Sequence, residues 1–580
     1  MITHDELCGE LRRRLLSHAD EVLLRVALAP QFDHPVELTG RALLDRAESL
    51  AASIVASVRP TNKRQVILLL LPHCPELFLL QLGLVLEGYV SAILAWPTTR
   101  VDAEKYQRNL IHQVSQLPAD AMVTLPRLAE NLKASLPYAV IGVAIENGPS
   151  FEKMFPIQSV KQALEAKRSA KNSPQLADDV LFLQFSGGTT GAQKAVVVTA
   201  DMLINQFEQL NQSLQFTPDD SIVSWLPMYH DMGLIACYWM PLWHGTASLQ
   251  IAANDWILNP ELLFRYIARY HGTLCWLPNF AFAYLSQRRE FMQKAHDLQN
   301  VRAWINCSEP VRQKSITEFV RTFADWGVCK ESMQASYAMA ETVFAITQSE
   351  LHRDLPTVLR AEVHRASQTY IGLAFDLIDD VYVSSGKPLP QTQVRIVAPC
   401  GALCGDNEPG EIYVRTPSLF PGYWAAGGFQ THTLDEGWHA TGDYGFTAHG
   451  ELFVIGRFKD IVIVGGNNIF PEDVEAVVNS IDSVYPGRVV AFGVEDMEYG
   501  TQTLAIAAEM KGAYDESAAS AVEAEIRKLV LATIGTAPRH VAVVPQRWIV
   551  KSTAGKISRK ETRERFMRER NLATQENAEV

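Results

Sequence analysis

A loop rich in glycine and hydroxyl groups follows one apolar run of the sequence. It comprises three glycines, three hydroxyl side chains and a lysine three residues past the last glycine: Ser186, Gly187, Gly188, Thr189, Thr190, Gly191 and Lys194. Glycines let backbone N–H groups approach a polyanion, hydroxyls add donors and the lysine adds a positive charge. Ala192 and Gln193 separate Gly191 from the lysine, so this is not a Walker A loop. Such a run is often a plain surface loop, but its chemistry suits a triphosphate.

Further segments carry groups that could do chemistry. They are Trp225–Leu234, Asn306–Pro310, Ser336–Thr342, Trp438–Asp443, Gly456–Asp460 and Lys551–Ile557. Taken alone, each has an ordinary structural interpretation. Glu341 could be a helix-terminal acid and Asp443 a turn former. Lys556 could be a solvated lysine and His230 a structural histidine, so the meaning of these residues depends on the elements that hold them.

Strand-like and helical runs alternate from about Asp45 to Phe282, which predicts parallel α/β sheets. After Ser384, short strands between turn residues predict a smaller, barrel-like subdomain. A compact α+β pattern begins beyond Gly456 and includes a predicted helix over Glu516–Ile534. The predicted fold class is therefore α/β. We expect a large N-terminal domain of two α/β sheets plus the barrel-like subdomain, followed by a mobile small α+β C-terminal domain.

The composition of the 580 residues is that of a globular protein, with 47% apolar and 20% charged residues. A net charge of −13 disfavours binding to nucleic acid or to an anionic membrane. The most apolar stretch, Val66–Trp96, contains Pro72, His73, Glu76 and Glu87, so we expect no stable membrane insertion. The eight cysteines include no CxxC pair and the N-terminus has no signal-peptide pattern, which together indicate a cytoplasmic protein.

Taken together and in this order, the segments resemble those of the adenylate-forming (acyl-activating) superfamily. The resemblance extends from about Leu68 to Lys560. It implies a large adenylating domain over residues 1–456, which includes the barrel-like subdomain at about 384–456. Residues 457–580 would form a small lid domain that rotates about a hinge at Lys459.

The resemblance also implies roles for individual residues, with ATP and Mg²⁺ as cofactors. The loop Ser186–Lys194 would hold the β- and γ-phosphates, and Ser308, Glu309, Pro310 and Ala338 would line the nucleotide site. Tyr337 would lie against adenine, Glu341 would bind Mg²⁺, and Thr342 would contact the α-phosphate. Asp443, assisted by Arg457, would bind the ribose hydroxyls. Lys556 would bind the acyl carboxylate and the α-phosphate, while His230 would gate the carboxylate.

Two features distinguish branches of the superfamily. His230 stands where amino-acid-activating members place a carboxylate, which favours a simple carboxylic acid as substrate. The motifs Trp225–Leu234 and Gly465–Glu475 look like those of fatty acyl-AMP ligases, as does a partly apolar insertion at about 350–380. This branch implies a fatty acid substrate and an acyl carrier protein, acting in trans, as acceptor.

Two alternatives stay open: a fatty acyl-CoA synthetase that uses coenzyme A, and a nucleotide-binding protein that has lost activity. The presence of Lys194, Glu341, Asp443 and Lys556 argues against the second. Cys307, Ser308 and Ala338 depart from the superfamily pattern by adding side-chain atoms, which predicts a shorter or reshaped acyl pocket. Acyl chain length cannot be predicted from these residues.

Overall fold

The computed structural model describes residues 2–59, 64–97, 106, 110–114, 117, 119–133, 136, 138–145, 178–185, 194–360, 362–363, 381–425, 428–432, 436–464, 467–496, 501–551 and 557–570. The largest sheet has nine strands. In spatial order these are Lys387–Pro388, Ala345–Gln348, Met333–Ala338, Ala303–Asn306, Leu274–Leu277, Ser221–Ser224, Ala247–Ile251, Val22–Ala27 and Val36–Thr39. Its six consecutive strands from Met333–Ala338 to Val22–Ala27 are parallel, and antiparallel strands flank them.

A second large sheet has eight strands. In spatial order they are Gly428–Thr431, Gly422–Ala425, Ala195–Thr199, Val180–Phe185, Val90–Ile93, Val66–Leu69, Ala119–Thr124 and Ala139–Gly142. The last five are parallel to one another. The strand Val180–Phe185 is buried along its whole length, as expected for a strand covered on both faces. It leads directly toward the predicted phosphate loop, of which only Lys194 is described.

Smaller antiparallel or mixed sheets follow in the chain. The first has four strands, Gln393–Val397, Gly410–Arg415, His439–Ala448 and Glu451–Arg457. Two strand pairs join Thr357–Leu359 to Val381–Val383 and Val462–Val464 to Asn467–Ile469. A three-stranded sheet comprises Val484–Asp496, Thr501–Met510 and His540–Val544. The predicted α/β fold class, with barrel-like and α+β parts after the large sheets, is confirmed by this architecture and by the structural matches reported below.

The α-helices of the described residues are His4–Ser17, Gly40–Val55, Pro75–Leu86, Pro126–Leu132, Ala200–Leu214, Met240–His244, Ala253–Leu258, Glu261–Tyr270, Asn279–Gln287, Gln313–Phe323, Pro471–Val478, Glu516–Ile534 and Arg559–Glu569. The Asp515 side chain accepts the Ala518 N–H at the start of the longest helix. Gly535, with φ 77°, ends this helix. None of the helices that the structure describes is long and apolar enough to span a lipid bilayer.

One helical segment, Met232–Trp239, has π-helical hydrogen bonding, and all of its residues are buried. Asp231 precedes it and accepts the Met232 N–H through Oδ1 at 2.8 Å. Gly233 is required here because a Cβ atom would lie 2.3 Å from the Pro227 carbonyl oxygen. The turn that contains Pro227 is thus packed closely against the first residues of the π-helix. Turns of π-helix are often found at functional sites.

The buried apolar residues divide into separate clusters. The largest involves both large sheets and their helices. Two other clusters lie wholly within residues 462–567. A core of its own for this C-terminal part is consistent with the predicted lid domain. The exact domain boundary stays a prediction.

Candidate active site

The predicted motifs follow neighbouring parallel strands of the nine-stranded sheet. Trp225–Leu234 follows Ser221–Ser224, Cys307–Pro310 follows Ala303–Asn306, and the Glu341 segment follows Met333–Ala338. The carboxyl ends of parallel strands lie at one edge of a sheet, where α/β proteins commonly bind ligands. The sheet order therefore brings these three motifs to one edge.

Asp443 is the centre of a buried polar group that joins two sheets. The Tyr337 hydroxyl donates to Asp443 Oδ2 at 2.6 Å, and Arg457 Nε lies 2.7 Å from Asp443 Oδ1. Asp443 and Arg457 are direct cross-strand partners in the four-stranded sheet, which explains their contact. Burial and the charge of Asp443 raise the pKa of Tyr337 well above its ordinary value. A carboxylate has about four lone-pair positions, so Asp443 can still accept hydroxyl groups from a ribose.

Glu341 has a different environment. The Tyr423 hydroxyl donates to Glu341 Oε1 at 2.9 Å, and the Phe420 N–H donates to the Glu341 backbone oxygen at 2.8 Å. Lys194 Nζ lies 4.5 Å from the centroid of the Tyr423 ring, a cation–π contact that brings the lysine beside this carboxylate. Burial within the surrounding protein raises the pKa of Glu341, although the Tyr423 hydrogen bond opposes this shift.

The Glu341 environment fits a magnesium ion that is also held by phosphate. Mg²⁺ usually takes one or two protein carboxylates and completes its coordination with water and phosphate oxygens. Within the described part of the chain, no group of three or more His, Cys, Asp or Glu side chains could hold a metal ion. Glu341 would therefore need nucleotide phosphates to complete such a site.

Thr342 is fully buried, and its hydroxyl lies 3.1 Å from the Met339 carbonyl oxygen and 3.0 Å from that of Phe344. Its single proton is thus directed to the backbone in this arrangement. Contact with an α-phosphate through the hydroxyl would require a rotation of this group. The predicted role of Thr342 stays a prediction.

The segment after Ser221–Ser224 places His230 Nδ1 2.5 Å from Asp231 Oδ1. Both side chains are largely buried. Asp231 Oδ1 thus lies next to the His230 imidazole and also accepts the first N–H of the π-helix. Burial raises the pKa of the neighbouring Tyr229 to about 12. The segment therefore holds the imidazole at the start of the π-helix, and the role of His230 as a gate stays a prediction.

The Ser308 segment has an unusual backbone. Ser308 has φ 73°, in the left-handed region, and its hydroxyl oxygen lies 3.9 Å from Met232 Sδ. Glu309 Oε2 accepts the Phe280 N–H at 2.9 Å. These contacts connect the segment to the π-helix and to the helix Asn279–Gln287. Pro310 and Ala338 flank the same edge of the sheet, where the sequence predicts the nucleotide.

Lys556 and the loop residues 186–191 lie outside the described residues. The ends of the Lys556 segment are described, because Lys551 and Ile557 form an isolated β-bridge that closes it. Burial lowers the pKa of Lys551 to about 8, and the charge of Glu309 opposes this effect. The charge of Glu309, which follows a strand of the nine-stranded sheet, therefore acts on Lys551 at the start of the Lys556 segment. Lys459, the predicted hinge, has an exposed side chain. Partial desolvation by the surrounding protein and the positive charge of Arg457 lower the pKa of Lys459.

Asp473, in the helix Pro471–Val478, binds two arginines from the larger part of the chain. Arg360 Nη1 lies 2.8 Å from Asp473 Oδ2, and Arg312 Nη1 lies 3.5 Å from Asp473 Oδ1. Phe470 packs in one cluster with Val358, Val363 and Tyr382. Val358, Arg360 and Val363 lie within the predicted insertion at about 350–380, of which residues 361 and 364–380 lie outside the described residues. We call Arg312, Arg360 and Asp473 the arginine latch.

Three residues near the site were not predicted from the sequence: Tyr423, His432 and His439. Tyr423 lies 82 positions from Glu341, and no local sequence motif indicates that the two residues are in contact. The dipeptide Gly422-Tyr423 after a proline was the available signal. His432 and His439 are hydrogen-bonded to each other near Tyr423.

Comparisons with known proteins agree with this geometry. A family model described as AMP-binding enzyme matches residues 16–424. The medium-chain-fatty-acid–[acyl-carrier-protein] ligase JamA of Moorena producens is 28% identical, with 67% of this chain and 68% of JamA covered. The long-chain-fatty-acid–AMP ligase FadD26 of Mycobacterium marinum is 29% identical, with 70% and 72% covered. A solved structure from a study of fatty acyl-adenylate ligases of E. coli and L. pneumophila has a TM-score of 0.80 at 20% identity, with 98% of both chains covered.

Proposed function

Because the chain belongs to the family of AMP-binding enzymes, we propose that it activates a fatty acid with ATP and transfers the acyl group to a carrier protein. In the first step, a carboxylate oxygen of the fatty acid attacks the α-phosphorus and the bond to the β-phosphate breaks. The products are acyl-AMP and pyrophosphate. In the second step, the phosphopantetheine thiolate of an acyl carrier protein attacks the acyl carbonyl carbon, and AMP leaves.

The observation that carries the first step is the Tyr337–Asp443–Arg457 group beside Glu341. Asp443, already oriented by Tyr337 and Arg457, would accept the ribose hydroxyls and fix the nucleotide. Catalysis of phosphoryl attack depends mainly on such positioning and on charge neutralisation. Lys194 would offset phosphate charge beside Tyr423. A bound Mg²⁺ at Glu341 would neutralise the charge on the departing pyrophosphate.

The remaining assignments rest on the resemblance and on position. Lys556 would contact the acyl carboxylate and the α-phosphate. His230 would orient the carboxylate from the segment before the π-helix. Ser308, Glu309, Pro310 and Ala338 would line the adenine side. The location in the cytoplasm, expected from the sequence, stays a prediction.

The arginine latch affects the second step, whichever thiol accepts the acyl group. It connects Arg360, a buried residue of the predicted insertion, and Arg312 to Asp473 in the predicted lid. Such a contact would restrain the lid rotation that thioester formation requires. CoA and a carrier protein both require this rotation, so the proposal of a carrier protein rests on the relatives named as carrier-protein and AMP ligases.

The test is to incubate the protein with ATP, Mg²⁺ and fatty acids of several lengths, and then to add CoA or a holo-carrier protein. We expect pyrophosphate release, acyl-AMP that persists in CoA, and acyl transfer to the carrier. Rapid acyl-CoA formation would instead favour the alternative of a fatty acyl-CoA synthetase. Absence of pyrophosphate release with every acid would contradict the adenylation step itself.

A further inference from the structure

A pair of histidines lies beside Phe420 and Tyr423, the two residues that are hydrogen-bonded to Glu341, and has no role in the assignments above. His439 Nδ1 and His432 Nε2 are 2.7 Å apart. Phe420 stacks on the His432 ring at a centroid distance of 5.0 Å and meets the His439 ring edge-on at 5.6 Å. The Phe420 N–H donates to the Glu341 backbone oxygen. The histidine pair is therefore packed against the segment that presents Glu341.

The burial of His439 indicates which nitrogen atoms carry protons. His439 is 4% exposed, and its Nε2 has no hydrogen-bond partner among the described residues. An N–H group is rarely left without an acceptor in a protein interior, whereas an unpaired acceptor is better tolerated. His439 is thus protonated on Nδ1 and donates to His432 Nε2. A neutral His432 that accepts through Nε2 carries its own proton on Nδ1.

The surroundings of His432 are those of a phosphate contact. His432 is half-buried, and its ring lies 6.2 Å from the ring of Tyr423, which Lys194 contacts from 4.5 Å. Burial and the charge of Lys194 lower the pKa of His432, so the lysine and the imidazole act in the same region. Two groups that can donate to an anion therefore flank the tyrosine that holds Glu341.

We propose that His432 is a further phosphate-binding residue, which donates its Nδ1–H to the terminal phosphates of ATP and to the departing pyrophosphate. His439 is the positioning residue that fixes the tautomer of His432. This inference rests on the proposed function, because it takes ATP as the nucleotide. It adds a neutral donor to the positive charge of Lys194 at the same end of the triphosphate.

The test is to measure the dissociation constant of the full-length protein for Mg²⁺ and the non-cleavable analogue α,β-methylene-ATP. We expect His432→Phe, which keeps the ring but removes the donor, to weaken binding by about 10–100-fold, the range for one hydrogen bond to a charged group. His432→Gln retains an N–H donor and should recover most of the affinity. The exposed His34 provides the control His34→Ala, which should bind like the wild type.

Two further measurements separate donation from packing. In pyrophosphate exchange, His432→Phe should raise the KM for ATP and leave the KM for the fatty acid unchanged. His439→Leu should weaken nucleotide binding only when His432 is present, so the double variant should be no weaker than His432→Phe alone. Wild-type affinity in His432→Phe, or equal weakness of His432→Phe and His432→Gln, would overturn the proposal.

Failure of the proposed function would look different. A wild-type protein that binds the analogue but adenylates none of the acids would contradict fatty acid activation. The binding comparison between the His432 variants would still decide the role of this residue.

Discussion

The two carboxylates of the site, Asp443 and Glu341, have contrasting environments. Asp443 receives the Tyr337 hydroxyl on one oxygen and the Arg457 guanidinium on the other. Glu341 receives the Tyr423 hydroxyl, and burial raises its pKa. The first carboxylate is stabilised before any nucleotide arrives, whereas the second is in an environment that a cation would improve. The ribose side of the site is thus preorganised, and the phosphate side is completed by its ligands.

The largest effect is expected from Asp443→Asn, which removes the charge from the preorganised side. Loss of one such positioning contact should lower the rate of acyl-AMP formation by about 10²–10³-fold. Tyr337 and Arg457 would also lose a charged acceptor, so unfolding by urea should show a loss of about 1–3 kcal/mol. The exposed Asp406 offers the control Asp406→Asn, which should change neither property. If Asp443→Asn unfolds at the same urea concentration as the wild type, the carboxylate of Asp443 is not stabilised before nucleotide binding, and the contrast with Glu341 is wrong.

Glu341→Gln should lower adenylation by about 10²-fold and raise the Mg²⁺ concentration needed for half-maximal rate. Its effect on stability should be opposite to that of Asp443→Asn. Because the pKa of Glu341 is raised in the folded state, stability falls as pH rises through the window above the ordinary pKa. The variant should therefore melt at or above the wild-type temperature at neutral pH, and this advantage should vanish at about pH 4.

The control for this experiment is Glu331→Gln, at an exposed position. Melting curves with and without Mg²⁺ and α,β-methylene-ATP give a second check. The ligands should stabilise the wild type more than Glu341→Gln. Equal stabilisation of both proteins would contradict a cation at Glu341.

Tyr423→Phe tests the one hydrogen bond that the Glu341 side chain receives from Tyr423. The hydroxyl lowers the pKa of Glu341, so its loss should raise that pKa further. The acid limb of the pH–rate profile should move to higher pH, and the rate at neutral pH should fall by about 3–10-fold, as for one neutral hydrogen bond. Tyr514→Phe, at an exposed tyrosine, is the control. An unshifted acid limb would show that Tyr423 does not tune this carboxylate.

The smallest effect on adenylation is expected from Arg360→Gln, which lies outside both carboxylate environments. This change breaks the shorter contact of the arginine latch. We expect acyl-AMP formation within about two-fold of wild type, since a change outside the site removes no transition-state contact. The measurable change should be faster acyl transfer from acyl-AMP to either thiol, the carrier protein or CoA, because the lid would be less restrained. The exposed Arg321 provides the control Arg321→Gln. An unchanged rate of acyl transfer in Arg360→Gln would show that the arginine latch does not restrain the lid.

The local features of the fold could be predicted from the sequence because nearby residues determine them. Val180–Phe185 is a continuous apolar run, and it forms a strand over those residues. Glu516–Ile534 lies between Asp515 and Gly535, and it forms a helix over those residues. The alternation of strand-like and helical runs predicted the α/β architecture. The order of the motifs predicted the family, and the family match confirms this second prediction.

Contacts between distant segments could not be predicted in this way. Asp443 and Arg457 were paired by resemblance, but the direct contact comes from the register of two antiparallel strands. Tyr423 and Phe420 contact Glu341 across about 80 positions of the chain, and the strand Gly422–Ala425 that contains Tyr423 pairs with Ala195–Thr199 in the second large sheet. Asp473 and Arg360 meet across 113 positions. No local periodicity records such contacts.

The π-helix Met232–Trp239 also affects which sequence changes the acyl side can accommodate. Its turns hold more residues than α-helical turns, because each hydrogen bond spans one residue more. A deletion within the segment can therefore be absorbed by conversion to ordinary α-helical turns, with both ends still joined to their neighbours. The flanking residues would keep their orientation, and only the side chains of the converted turn would be rearranged near His230. Changes in length, and not only substitutions, are thus a route by which the structure next to His230 can change while the rest of the fold is kept.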